Sequence, residues 1–246
     1  MKSKLMKSKA IVLLVTTIFF IAFWIISNSF KFESMKIMGI NASLPMFNDD
    51  CGAYTSVLSY NVIYVIPFIL FLYNLSLKEK DIIVVRNKTR KYFFIKRLKQ
   101  LVISSLLFSF LNILVNSLLM LWPFDFKFLL VKHFFTYSIL HMFILILHFI
   151  LIGFVFYIFY DLLKSMAQAL LVTEMCFALP YFLKRVGIIT FWIPANNVTI
   201  LSKFLYGYMN TQRMLLYYAS DMAIIILLYG IGVLLYERKN FYNVKK

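Results

Sequence analysis

"FFTYSILHMFILILHFILIGFVFYIFY", residues 134–160, contains no charged side chain and ends directly before Asp161. About 20 mainly apolar residues are enough to carry an α-helix across the hydrocarbon core of a bilayer, so this run predicts a transmembrane helix. The whole chain agrees with that reading. Of its 246 residues, 62% are hydrophobic, 19% aromatic and only 15% charged, and its mean hydropathy is +0.83. Soluble domains keep about a quarter of their residues charged, so this composition excludes a water-soluble core as the main solution. The solvent for most side chains is lipid.

Working outward from 134–160, five more segments qualify: about 10–30, 57–77, 101–122, 166–183 and 216–236. Lipid offers the backbone no hydrogen-bond partners, so helices are expected. A β-barrel would need alternating segments of about 10 residues, and the sequence lacks them. The expected fold class is therefore all-α, an integral membrane protein with six transmembrane helices forming one domain over 1–246. "YDLLKS" at 160–165 is short enough to make the fourth and fifth spans a tight antiparallel hairpin. Pro67 and Pro180 each remove a backbone donor and predict kinks in the second and fifth spans. Trp24, Trp122 and Trp192 lie near span ends or in the last outer loop, which predicts an interfacial aromatic belt.

Charge sets the expected orientation. The formal net charge is +16, but its distribution matters more than its sum, because the basic residues lie in blocks beside apolar segments. With six spans, 18 of the 26 Lys and Arg residues fall on the side holding both termini and the loop at 78–100. The positive-inside rule places that side in the cytoplasm. Nucleic acid is not an expected partner; anionic membrane lipid is, at about 1 kcal/mol per basic residue near the surface. The opening stretch "MKSKLMKSKAIVLLVTTIFFIAFWII" is expected to be a retained helix, since its apolar run exceeds the 7–15 residues of a signal peptide and no A-x-A site follows. Two outer connections stand out. Residues 31–55 carry the turn-rich "GINASLPMFNDDCG", and 184–215 form a long, partly apolar loop expected to lie in the interface or re-enter against protein.

The densest cationic block, "LKEKDIIVVRNKTRKYFFIKRLKQL" at 77–101, is more organised than a simple anchor needs to be. At helical period, Phe94, Ile95, Leu98, Leu101 and Val102 share an apolar face leading into the third span, leaving Lys96 and Lys99 to snorkel. Asn87 and Thr89 are candidate N-caps for a helix starting near Arg90. A short helix, a polar break and a second helix would form a rigid cytoplasmic elbow.

Arg86, Thr89-Arg90 and Lys96 before a membrane helix resemble the loose "R-x-x-S/T-R … K" form of the second-to-third-span loop in six-helix permeases of type-2 ATP-binding-cassette (ABC) exporters. The plan of six spans, with both ends inside and a partly apolar loop before the last span, is similar along the whole chain. Within the family the likeness is greatest to small permeases of Gram-positive bacteria linked to antimicrobial-peptide export or immunity. The short cytoplasmic N-terminus departs from larger members, which carry an amphipathic connecting helix there. The resemblance implies a bacterial cytoplasmic-membrane permease in which Arg86, Asn87, Thr89, Arg90 and Lys96 couple to cytosolic ABC ATPase subunits. It also implies a second permease chain, identical or related, and no cofactor. The chain carries no G-x-x-x-x-G-K-[ST] loop, so ATP hydrolysis is assigned to a partner and no enzymatic activity to this chain.

Polar residues inside the spans supply the remaining candidates. Ser105, Ser109, Asn112 and Asn116, at offsets 0, 4, 7 and 11, share one face of the third span, as either helix-to-helix glue or a pathway lining. Glu174 is an intramembrane carboxylate and hence a functional candidate by default. Asp221 is expected at the outer interface. His141 and His148 share a face but lie about 10.5 Å apart along the axis, too far for one metal ion without other helices. No metal site is expected, and the histidines read as structural. No H-E-x-x-H or G-x-S-x-G motif is present. Cys51 and Cys176 make no disulfide framework. The expected function is outward movement of an amphipathic peptide or lipid-like substrate by a permease subunit. Rival readings are a substrate-binding subunit of a vitamin uptake transporter, a membrane enzyme built on the His141/His148 face, and an ATP-independent immunity or scaffold protein.

Overall fold

The computed structural model describes residues 2–49, 53–76, 90–190 and 193–238. Among these residues every regular element is helical. In chain order the helices are α1 (Lys2–Asn28), α2 (Lys31–Met38), α3 (Ile40–Asp49), α4 (Val65–Ser76), α5 (Arg90–Leu119), α6 (Phe126–Val131), α7 (Phe134–Leu163), α8 (Met166–Arg185), α9 (Ile200–Leu205) and α10 (Thr211–Arg238). Five of them, α1, α5, α7, α8 and α10, are long and apolar enough to cross a membrane.

The expected second crossing differs from the other five. Its residues form a π-helical turn over Ser59–Ile63 followed by α4, a shorter apolar helix. The Tyr64 N–H reaches back five residues to the Ser59 carbonyl at 2.8 Å, so one extra residue is accommodated in the turn. Pro67 then lies in the first turn of α4, where a helix needs no donor from it. Of the six expected crossings, five correspond to helices long and apolar enough to span a membrane, while the stretch expected at 57–77 holds this shorter, interrupted run among the described residues.

Other boundaries move for local reasons. Helix α5 begins at Arg90, where the sequence places a helix start, and runs without a break into the span expected at 101–122. The hairpin between α7 and α8 closes on Lys164, which takes a left-handed conformation (φ 56°), and Ser165, which is extended. Pro180 lies inside α8.

The stretch 31–55, expected to be turn-rich, folds mainly as α2 and α3, which meet at Gly39 (φ 79°), a conformation glycine adopts without steric cost. Phe32 and Phe47 pack edge to face at 5.5 Å, and Phe47 continues onto Phe124 at 5.5 Å, so this pair of helices closes one end of the bundle. The second long connection also packs against protein. After Gly187 (φ 83°) it forms a 3-10 turn over Pro194–Thr199 and then α9, burying Ala195, Asn197, Val198, Ile200 and Leu201 against α3, α7 and α10.

Helix α7 is the centre of the bundle, packing on α4, α5, α8 and α10. The core is an aromatic stack in which Phe108 meets Phe20 at 4.9 Å and Phe149 at 4.8 Å, while Phe149 also meets Phe68 at 4.8 Å. Lipid tails are as apolar as these rings, so association here rests on close packing and hydrogen bonds more than on the hydrophobic effect. At Gly153 the approach is so close that a Cβ would fall on the end of Leu101, which is why α5 and α7 can meet there.

Candidate functional site

Among the described residues, two clusters of polar side chains join α5 to its neighbours. The first surrounds the polar stripe of α5. Ser105, Ser109, Asn112 and Asn116 are all buried, whereas Leu106, Phe110 and Leu114 face outward, as the helical period predicts. Asn112 is held through both of its oxygens: Tyr60 donates to its Oδ1 at 2.9 Å, and Tyr54 donates to its backbone carbonyl at 3.0 Å. Tyr64 in turn donates to the Tyr54 carbonyl at 2.8 Å. One turn along, Asn116 Oδ1 accepts from Trp24 Nε1 at 3.0 Å, and its Nδ2 donates to Asn48 Oδ1 at 3.3 Å. Thr55 closes the chain with bonds to the Asn48 carbonyl at 2.7 Å and to Asn48 Oδ1 at 3.2 Å.

This network ties α1, α3, the π turn and α5 together with neutral groups only. Amides, phenols and an indole bond to one another here, an arrangement that makes for cohesion. Trp24 is therefore a buried strut and not the interfacial residue expected from its position near a span end. The stripe is not uniform: Ser105 Oγ, Ser109 Oγ and Asn112 Nδ2 are buried without a hydrogen-bond partner among the described residues. His148 Nε2 lies 3.4 Å from the Tyr60 carbonyl, and the His141 ring meets Tyr60 edge on at 5.4 Å, so both histidines back the same cluster from α7.

The two carboxylates of the spans sit in different surroundings. Glu174 is half-buried on α8, beside the inward face formed by Ala169, Thr173 and Phe177, and its Oε2 has no hydrogen-bond partner among the described residues. Helix α8 packs on α7, α4 and the π turn, and no hydrogen bond links Glu174 to the stripe of α5. Asp221, expected at an interface, is fully buried. Its Oδ1 accepts from Asn197 Nδ2 at 2.7 Å, and the same nitrogen lies 2.9 Å from Ser220 Oγ and 3.3 Å from the Tyr217 carbonyl. The inward-folded connection is thus latched to α10 by one amide.

The second cluster lies at the opposite end of α5. Arg86, Asn87 and Thr89 fall outside the described residues, Arg90 is the first residue of α5, and Lys96 is half-buried on it. The functional-looking residue that sequence reasoning passed over is Arg97. Its Nη1 donates to both oxygens of Asp161 at 3.0 and 2.8 Å, and its guanidinium lies over the Tyr157 ring at 5.1 Å. This ion pair is largely shielded, with side-chain exposures of 12% and 15%. It fastens the start of α5 to the end of α7. Helical spacing carried the signal: Arg97 shares the inward face of Phe94, Leu98 and Leu101, while Ile95 and Val102 face out. Alongside, the Phe94 ring meets Tyr229 of α10 at 5.5 Å and covers Gly232.

Comparison of the chain with protein-family models, with curated proteins and with solved structures gives no significant match.

Proposed function

We propose that this chain is the membrane-spanning permease subunit of an ATP-driven ABC exporter, with six crossings and both termini in the cytoplasm. The five long helices supply five crossings, and the run from Val57 through α4 supplies the interrupted one. The observation that carries the proposal is the continuity of α5. A single helix runs from Arg90, at the edge of the cationic loop, to Leu119, and Arg97 ties its first turns to α7 through Asp161. A push on the loop would reach the centre of the bundle through a continuous helix and a charge-assisted ion pair.

In this reading cytosolic ATPase subunits bind the 78–100 loop, with Arg86, Asn87, Thr89, Arg90 and Lys96 as the contact residues. Nucleotide binding closes the ATPases, α5 and α7 tilt together, and an amphipathic peptide or lipid-like substrate is released outward. A second permease chain completes the pathway against the outward apolar faces of α1, α8 and α10, and the setting is a bacterial cytoplasmic membrane.

The test is co-purification from the native membrane. A stoichiometric cytosolic ATPase, lost when Arg86, Arg90 and Lys96 are reversed in charge, supports the proposal. Labelling of a cysteine placed at 88 from outside intact cells would put the loop on the wrong side and refute it.

A further inference from the structure

A cavity of about 400 Å³ opens between α7, α8 and α10 beneath the inward-folded connection. Leu151 and Val155 of α7, Phe177 of α8, Pro194 of the 3-10 turn and Leu228 of α10 form part of its wall, and among the described residues no charged side chain lines it. Its volume falls in the range of small-molecule sites, which are mostly apolar with a few placed polar groups. Here the placed group is Asn61. It sits in the π turn Ser59–Ile63, an irregularity common at functional sites, and is fully buried. Its Nδ2 is committed to the Val57 carbonyl at 2.8 Å. Since that carbonyl can only accept, the amide orientation is fixed and Oδ1 is the atom left over. Oδ1 is buried and has no hydrogen-bond partner among the described residues.

A buried carbonyl oxygen without a donor is costly, and a ligand that brings one removes that cost. We propose that this cavity binds a single-chain amphiphile whose head is uncharged and donates a hydrogen bond, a long-chain alcohol being the simplest example, with its O–H on Asn61 Oδ1. The apolar wall takes the chain. The absence of any lining charge selects against phosphate, carboxylate and ammonium heads, whose desolvation nothing there would offset. The site belongs to the lone chain and does not depend on the transport reading.

The test uses the full-length chain in detergent and a diazirine-bearing dodecanol as the photoprobe. Crosslinks are expected on peptides covering 151–159, 176–180 and 228–231, with dodecanol competing about fivefold better than dodecane. Asn61→Leu should leave labelling in place and make the two competitors equal. Val155→Trp, which fills the cavity, should remove the labelling at all three peptides without loss of helical circular dichroism. Extraction of the purified chain before the probe is added separates two sources. About one neutral amphiphile per chain marks a resident lipid, whereas none, with probe saturating at one per chain, marks a ligand taken up; either result agrees with the site. Labelling spread evenly over the outward faces of α1, α8 and α10, or equal competition by alcohol and alkane in the unmodified chain, would overturn it.

Discussion

The two ends of this bundle are held together by different means. At the end closed by α2 and α3, a dense network of neutral hydrogen bonds runs from Trp24 through Asn116 and Asn48 to Thr55, and Asn197 latches the long connection onto Asp221. At the other end, the contacts among the described residues include a charged one, the Arg97–Asp161 ion pair, beside the aromatic contact of Phe94 with Tyr229. The contrast teaches how differently two helix contacts can be made: interlocked neutral bonds, each modest and mutually supporting, at one end, and a shielded charge pair, whose strength depends on both partners, at the other.

Substitutions can break this contrast, and the largest effect is expected at Asn197. Asn197→Leu removes the donor to a fully buried carboxylate and should lower unfolding stability by about 2–4 kcal/mol. Thermal unfolding in detergent measures it, and adding Asp221→Leu should recover most of the loss, because two apolar groups leave nothing unpaired. Next comes Asn116→Ala, which strands the Trp24 indole N–H and should cost about 1–3 kcal/mol. A red-shift or intensity change in the Trp24 emission, isolated by replacing Trp122 and Trp192, checks that the indole has lost its acceptor.

At the second end the effects are expected to be smaller. Arg97→Gln and Asp161→Asn should each cost about 1–2 kcal/mol, between the values for exposed and fully buried pairs, and the double variant should cost little more than either single one. Additive losses in that cycle would show that the two side chains do not act together. The smallest effect is expected at Gly232→Ala. The new methyl would sit at 3.4 Å from the Phe94 ring, an ordinary contact, so the change should lie within about 0.5 kcal/mol of neutral or favour the helix slightly. A loss above 1 kcal/mol there would mean that this end is packed as tightly as the other.

Much of the bundle is legible in the sequence, because helical period and hydrophobicity act locally. The stripe Ser105, Ser109, Asn112 and Asn116 turns inward as its spacing requires, and the α7–α8 hairpin closes within the short segment that predicts it. What escapes is set by partners distant in the chain. Asp221 reads as an interfacial residue until Asn197, from an aperiodic segment, is brought against it. Trp24 resembles a belt residue until Asn116 takes its N–H. Arg97 looks like one more basic anchor in a cationic run until its face of α5 meets Asp161. The π turn has no composition signal, since "SYNVI" would suit an ordinary helix equally well. Residues 31–55 mislead in the opposite direction: their Gly, Asn, Pro and Asp suggest turns, yet most of them are accommodated in α2 and α3 once Phe32 and Phe47 have a surface to cover.

The π turn also fixes the phase of everything that follows it along its run. One surplus residue at 59–63 turns the remainder of that helix by about 100° relative to an uninterrupted α-helix. Straightening the turn into regular α-helix with every residue kept would swing Val65 and Ile69 off the core and Leu70 toward it, whereas deleting one residue there would leave the remainder in phase. The turn is therefore a local device that absorbs a residue, and without it the same sequence would show lipid a different face of α4.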